Sequence, residues 1–444
     1  MCRAGGSVQL SAFGRAFKTP DLRKKLLFVL FIVVVFRLGS IVPTPGVSYG
    51  AITRCAEAAT GGDDSSVYGM LNLFSGGALL RLSIFALGIM PYITASIIIQ
   101  LLTVVIPRFE ELKKEGPSGS TKLTQYTRYL TVALGVLEGT GYIAMARYGQ
   151  LFPNQPGCTG DDIIPDQGIF TIIVMVFTMT AGVAVIMWLG ELITERGIGN
   201  GMSILIFCQI IAVFPSQLGA IYSQDKLKFA AVMALGLLLV AAVVFVEQAQ
   251  RRIPLQYAKR MVGRRMYGGS STYIPLKVNQ AGVIPVIFAS SLLYLPQLAS
   301  LIWQENKAFS TFVNQYLVKG DHPLYMGIYV LLVIFFAFFY VSITFNPLEV
   351  ADNMKKNGGF VPGIRPGRPT AEYLDYVLTR ITTPGSLYLA TVALIPLIAI
   401  SLVQATQQFP FGGTSLLIMV GVGLDTVKQI ESNLQQRNYA GFLR

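Results

Sequence analysis

The chain is short of charge and nearly without histidine. Charged residues make up 13% of its 444 positions and hydrophobic ones 53%, about half the charged share of an ordinary soluble domain. A single histidine, His322, excludes a histidine-rich metal centre and argues against a Ser/His or Cys/His nucleophile. The four cysteines, Cys2, Cys55, Cys158 and Cys208, show neither metal nor redox spacing. Nucleotide loops are missing too. "GPSGSTK" at 116–122 lacks the adjacent Gly-Lys-Ser/Thr that cradles phosphate and reads as a flexible turn, and "GIGNG" at 197–201 lacks the spacing and strand context of a dinucleotide fingerprint. The basic start from Arg15 to Lys25 leads into an apolar run too long, and too poor in small residues, for a cleavable signal peptide.

What the chain has is long apolar runs. Ten reach toward the 20 or so residues that cross a bilayer: Leu26 to Val42, Leu82 to Ile106, Tyr129 to Tyr148, Gly168 to Gly190, Gly201 to Tyr222, Phe229 to Val246, Ala281 to Trp303, Leu324 to Phe345, Gly385 to Val403 and Gly413 to Val427. With the N-terminus in the cytoplasm, most of the 35 basic residues fall in the first tail, the even-numbered turns and the last tail. That asymmetry places both termini inside. Cys55 and Cys158 then share the outer side, which permits a disulfide without requiring one. Ten spans with both ends inside allow two inverted halves of five, residues 1–222 and 223–444, divided at the outer turn between Tyr222 and Lys228.

Few groups inside the spans carry charge. Arg37, Glu138 and Asp425 do, and each costs about 2.5 to 3.5 kcal/mol if central. Asp425 in "GVGLD" and Asp375 in "YLDY" faintly suggest a pair of intramembrane aspartates sharing a proton, but the Gly-x-Gly-Asp spacing is off by one and Asp375 lies at the cytosolic edge. A small-solute transporter is the stronger rival, since intramembrane charge marks a solute path; three scattered charges make a thin site for one.

Polar residues gather instead in two cytosolic connections longer than a helical hairpin needs. Residues 247–280 carry Arg251, Arg252, Lys259, Arg260, Arg264, Arg265 and Lys277; residues 346–383 carry "ADNMKKNGGFVPGIRPGRPT", with Arg365 inside "GIRPG". Two readings stand side by side: arginines offered to RNA phosphates or an acidic protein, and plain orientation with attraction to anionic lipid. One short apolar stretch, "LNLFSGGALLRL" at 71–82, is too short to cross. Taken alone it reads as an interfacial helix ahead of a span.

Several strings carry a family resemblance: "NLFSGGAL", "SIFALGIMPYITASIIIQLL", "KKEGPSGSTKLTQYTRY", "MWLGELITERGIGNGMSI", "QRRIPLQYAKRMVGRRMYGG", "STYIPLKVNQAGVIPVIFASS", "NPLEVADNMKKNGGFVPGIRPG" and "GGTSLLIMVGVGLDT". In that order, over nearly the whole chain, they resemble the SecY family of bacterial protein-export channels.

The resemblance implies an all-α membrane protein of ten helices in two inverted halves around an hourglass pore in the inner (plasma) membrane. Such a channel is closed outside by a short plug and opens sideways into lipid. The plug falls on residues 67–78, with Val67, Leu71, Asn72, Leu73, Phe74, Ser75, Gly76 and Gly77 as its members. The pore constriction carries over to Ile89, Ile93, Ile206, Ile287 and Ile418, with Met202 where the family has a further isoleucine. A ring of bulky aliphatics resists water and ions by dewetting and offers passing cargo no hydrogen bonds to stick to.

The sideways exit lies between spans 2 and 3 and spans 7 and 8, with Thr94, Glu138 and Asn279 at the seam. Pro285 and Pro296 are placed to kink span 7. Contacts to a motor or ribosome fall on Arg251, Arg252, Arg264, Arg265 and Arg365. Implied partners are SecE, SecG, the SecA ATPase, the ribosome, signal sequences, unfolded preproteins and membrane lipids. No cofactor, metal or catalytic residue is implied.

Overall fold

A computed structural model describes residues 19–60, 77–147, 149, 158, 160–224, 226–257, 260–262, 265–267, 271–302, 312–313, 316–317, 322–403 and 413–441. Apart from a single turn at Gly160–Ile163, its helices are α1 (Pro20–Gly39), α2 (Tyr49–Thr60), α3 (Met90–Val105), α4 (Pro107–Lys114), α5 (Pro117–Arg147), α6 (Ile169–Arg196), α7 (Gly201–Gln224), α8 (Lys226–Gln248), α9 (Ile284–Ile302), α10 (Pro323–Thr344), α11 (Pro347–Lys356), α12 (Arg368–Val403) and α13 (Gly413–Gly441). Among the described residues, four helical stretches are long and apolar enough to cross a membrane: α5, α6, α8 and the run Pro323–Lys356. The bent pair α3 and α4 makes a fifth if taken as one span. All ten apolar runs read from the sequence overlap helices, although only these meet the combined length and hydropathy requirement.

Local chemistry explains several boundaries. In α1, Pro20 sits in the first turn, Asp21 near the positive dipole end and Arg37 near the negative one. α3 ends where Ile106, extended at φ −101° before Pro107, cannot continue a helix, and α4 leaves at 100°. Asn346 caps α11 by accepting from the N–H groups of Leu348 and Glu349. His322 caps α10: its Nδ1 accepts from the Leu324 N–H at 3.2 Å, which gives the only histidine a structural role.

Three sequence readings are corrected. "GPSGSTK" is not a flexible turn: the turn ends at Gly116 (φ +77°), and Pro117 begins α5, where Ser120 and Thr121 hydroxyls donate to the Pro117 carbonyl. The second span does not start its helix at Leu82. Residues 79–89 are turns, and α3 begins only at Met90, because this segment is pinned across to residues 42–44: the Thr44 N–H and hydroxyl both donate to the Leu82 carbonyl, and the Ile84 N–H donates to Val42. Leu82 is held at φ +42° as a result, an uncommon conformation for a side chain of its size. Pro285 does not kink span 7. It is the second residue of α9, where a missing N–H costs no helical bond, and Pro296 alone lies inside that helix.

Packing divides along the chain. One buried cluster joins Ile52, Cys55, Leu79, Leu82, Tyr142, Cys158, Ile163, Met175 and Met179. Another joins Val232, Val243, Val286, Tyr329, Val333, Leu389 and Leu417. At the end where the basic loops lie, β1 (Gln250–Tyr257), β2 (Arg260–Val262), β3 (Arg265–Tyr267), β4 (Ser271–Lys277) and β5 (Gly359–Phe360) form a three-stranded sheet in the order β4-β1-β5 and a small β2–β3 ribbon. Alternation in "RIPLQ" buries Ile253 and Leu255 against Val361, Leu374 and Val377. The two long connections are therefore one body, joined by β1 and β5.

Candidate functional site

One apolar cluster draws on helices far apart in sequence. Alongside Ile32 and Phe36 of α1, Phe85, and Ile186 and Ile193 of α6, it gathers Ile89, the residue that precedes α3, Met202 and Ile206 of α7, and Ile418 of α13, with Ile93 of α3 and Ile287 of α9 packed against it. Ile89 is 1% exposed, Ile418 2% and Ile206 8%; Ile93 and Ile287 are half-buried. The Ile93 N–H donates to the Ile89 carbonyl at 3.1 Å, so the two stand one turn apart although only Ile93 is inside the helix. All five isoleucines assigned to the constriction, and Met202 with them, are thus brought together. Met202 can sit there because α6 offers it Gly190: a methyl group at that glycine would overlap the Met202 sulfur at 2.4 Å.

The turn "GIGNG" sets up this approach. Gly199 takes φ +87°, the Gly201 N–H donates to the Thr194 hydroxyl, and Asn200 Oδ1 accepts from the Met202 N–H. The loop is a corner between helices α6 and α7, with no strand before it, in line with its lack of a dinucleotide fingerprint.

The segment assigned to the plug, residues 67–78, is described only from Gly77 onward. Val67, Leu71, Asn72, Leu73, Phe74, Ser75 and Gly76 fall outside the described residues. Gly77 is described: at φ +87°, with open space where a Cβ would stand, it makes the turn into the buried Ala78 and Leu79. Cys55 and Cys158, left open by the sequence, form a disulfide with Cα atoms 5.8 Å apart. It ties α2 to the connection between α5 and α6. There, hydrogen bonds from the Thr171 hydroxyl and the Gly168 N–H hold the Asp166 carboxyl below the usual carboxylate range.

The three seam residues are not joined to one another. Thr94 donates its hydroxyl back to the Met90 carbonyl. Glu138 is half-buried in α5 and has no hydrogen-bond or ion-pair partner among the described residues. Asn279 is 3% exposed and committed elsewhere: its amide donates to Glu247 Oε1 of α8 at 2.6 Å and to the Gly282 carbonyl at 3.1 Å.

Asp425, read as lying well inside a span, has a half-exposed carboxylate 3.5 Å from Lys277 Nζ. Asp375 is exposed on α12. Asp425 therefore has a cation for a partner rather than a second carboxylate, which removes the ground for an aspartyl dyad.

Of the basic residues, Arg251 and Arg252 project from β1, with the Arg252 guanidinium 4.8 Å from the Tyr273 ring centre. Arg265 lies in β3 and Arg264 outside the described residues. Arg365 is exposed between Gly363 (φ +85°) and Gly367 (φ +111°), its carbonyl held by the hydroxyl of buried Thr370 at 2.8 Å. Sequence reading missed the bidentate pair of Arg128 with Glu191 at 2.8 and 2.7 Å, which clips α5 to α6. Partners 63 positions apart leave no local signal to find them by.

Comparison with known proteins identifies the family. The family model for SecY matches residues 83–427. The chain belongs to the SecY family. The protein translocase subunit SecY of Streptomyces galbus is 66% identical over 441 residues, covering 98% of this chain and 100% of that SecY. SecY of Mycobacterium tuberculosis is 58% identical over 444 residues, again with 98% and 100% covered. In structure, the chain is similar to a solved protein-conducting channel, with a TM-score of 0.64 at 16% identity over 92% of this chain and 91% of that one. It is also similar to a SecY whose plug domain stabilises the closed state and maintains a membrane seal (TM-score 0.61, 18% identity, the same shares covered). Sec61 from the canine ribosome-channel complex of the endoplasmic reticulum resembles it as well, at 0.60 and 15% over those shares. At such low identities these structures establish the SecY/Sec61 channel fold and nothing finer.

Proposed function

We infer that the chain is the protein-conducting channel of a Sec translocase: it passes unfolded, signal-bearing polypeptides across the membrane and releases transmembrane segments sideways into lipid. It is a channel and not an enzyme. The observation that carries this, beside family membership, is that Ile89, Ile93, Met202, Ile206, Ile287 and Ile418, from four separate parts of the chain, meet in one apolar cluster. A ring of this kind closes on itself at rest by dewetting and yields to an extended chain without holding it.

The finer reading has specific supports. Residues 67–78 act as the plug, for which the turn at Gly77 and the disulfide-tied α2 form a fixed frame. The chain works as two inverted halves, 1–222 and 223–444; one buried cluster within the first half and another drawn chiefly from the second support this. The sideways exit opens between α3 with α5 and α9 with α10, since α3 meets α9 beside the ring. Thr94, Glu138 and Asn279 line it.

The orientation is cytoplasmic at both ends in the inner membrane. A disulfide between Cys55 and Cys158 needs an oxidising compartment, which supports an outer position for both and agrees with the basic asymmetry. Arg251, Arg252, Arg264, Arg265 and Arg365 meet the SecA ATPase or the ribosome, for which one joined cytosolic body is a suitable dock. SecE clamps the halves and SecG binds the periphery. The chain, reconstituted with SecE and SecA in liposomes, should render a signal-bearing precursor protease-resistant in an ATP-dependent manner. Full digestion of the precursor under those conditions overturns the reading.

A further inference from the structure

The cytosolic mouth holds a set of charges that the pore does not explain. Residues 278–283 connect β4 to α9, and three helices clamp them. From α8, Glu247 accepts from the Asn279 amide at 2.6 Å. From α12, Gly385 lies so near that a methyl group there would stand 2.4 Å from the Val278 carbonyl oxygen. From α13, Gly421 approaches Val283, whose Cγ2 would lie 3.3 Å from a Cβ at that glycine. One residue before the connection, Lys277 reaches Asp425 of α13 at 3.5 Å. The Tyr388 hydroxyl of α12, buried and without a partner among the described residues, lies within electrostatic reach of Glu247, as do Lys277, Lys428 and Asp425.

Register makes this more than a local cluster. Ile418, Gly421 and Asp425 are spaced by three and four, so they share one face of α13. That face carries a pore isoleucine, the close approach to Val283 and the carboxylate for Lys277, over about 10 Å of helix. On the other side, Lys277 ends β4, which pairs with β1 along its whole length from Gln250↔Lys277 to Gln256↔Ser271. Asn279 stands eight positions ahead of Ile287. A shift of the β1–β4 hairpin is therefore delivered at one end to α9 and at the other to α13, the two C-terminal helices that supply isoleucines to the ring.

We propose that Lys277–Asp425 and Glu247–Asn279 form a polar latch that ties the root of the cytosolic hairpin to α13 and α8 and holds Ile287 and Ile418 in the closed ring, so that engagement of the hairpin by a cytosolic partner unlocks the pore. Glu247 and Asp425 are positioning residues in this scheme and need not touch cargo. The proposal rests on the reading of the isoleucine cluster as the constriction.

The test is resting conductance of the full chain, in its assembled complex, across planar bilayers, with thermal stability followed in parallel. Loss of a half-exposed ion pair is worth a few-fold at most. Asp425→Asn and Lys277→Gln should each raise open probability about two- to fivefold, and the exchange Lys277→Asp with Asp425→Lys should return it to the parental value. Glu247→Ala should leak; Glu247→Gln, whose amide oxygen still accepts from Asn279, should not. Ile418→Asn serves as the control on the ring itself. If it leaks while all latch variants stay at the parental value, the latch is refuted and the ring stands. If the charge exchange leaks as much as the single variants, the pair is only structural and the latch is equally refuted. If Ile418→Asn is silent too, the ring reading falls and the latch with it.

Discussion

Breaking the Cys55–Cys158 bond isolates what this tether contributes. The disulfide spans 103 positions of sequence, and for a loop of that size the chain-entropy account gives a ceiling of about 4.7 kcal/mol at 25 °C. Helices that persist in detergent leave less entropy to be constrained, so the typical 2–4 kcal/mol is the expected cost of losing it. Both cysteines are buried, at 1% and 7% exposure, among Ile52, Leu79 and Ile163. Alanine at both positions therefore adds no unsatisfied polar group.

Denaturant titration of the oxidised protein, the dithiol-reduced protein and the Cys55→Ala/Cys158→Ala variant reads the difference. With a urea slope of about 2 kcal/mol per molar, the midpoint should fall by about 1–2 M, and the reduced and double-alanine proteins should coincide. Protease cleavage between the two cysteines should leave fragments that separate on a gel only after reduction. Coincident midpoints for oxidised and reduced protein would refute the reasoning: the tether would then constrain nothing that the core around Leu79 does not already fix.

Topology is read from single cysteines in a cysteine-free background: Ser270→Cys and Gly363→Cys should react only with reagent on the cytosolic side and Asp162→Cys only from outside. Arg365→Glu should cut SecA- or ribosome-driven transport about tenfold or more, the loss of one charge-assisted contact, while expression and resting ion barrier hold; parental transport at limiting SecA would return Arg365 to simple orientation. Deletion of residues 67–78 should raise resting conductance without abolishing export, Ile93→Asn with Ile287→Asn should leak even with that segment present, and the combination should leak most, as two barriers in series do. Silence of all three in single-channel recordings would contradict both the plug and the ring.

How much was legible beforehand depended on the range of the signal. Each apolar run overlaps a helix, because burial in lipid imposes composition locally, and among the described residues four of these helical stretches, or five with the bent pair, are long and apolar enough to cross. The isoleucines came from family resemblance, since Ile89, Ile206, Ile287 and Ile418 have no pattern of their own that separates them from packing residues. Pinning by Thr44 and Val42 moved the start of α3 from Leu82 to Met90, a tertiary override that run length cannot register. The β4-β1-β5 sheet was within reach: "QRRIPLQY" and "STYIPLK" alternate, and Ile253 and Leu255 are buried as alternation requires. Its charges drew attention to partners rather than to strands. Asp425 was misjudged because span length was taken from hydropathy, whereas α13 runs on to Gly441 and carries Asp425 beside Lys277. The commitment of Asn279 to Glu247, 32 positions away, and that of Arg128 to Glu191 are pairings that one sequence does not announce.

The central claim is that the aliphatic cluster is the place through which a polypeptide passes. A signal-bearing precursor stalled in mid-transit by a folded C-terminal domain, and carrying a photo-reactive side chain at successive positions, tests it directly. The account predicts that the position halfway across crosslinks to the segments bearing Ile89, Ile93, Ile206, Ile287 and Ile418, in both halves of the chain at once, and that positions further along crosslink to lipid only if the precursor carries a stop sequence. Crosslinks confined to the cytosolic sheet and the outer turns, with none to those five segments at any position of the probe, would contradict it.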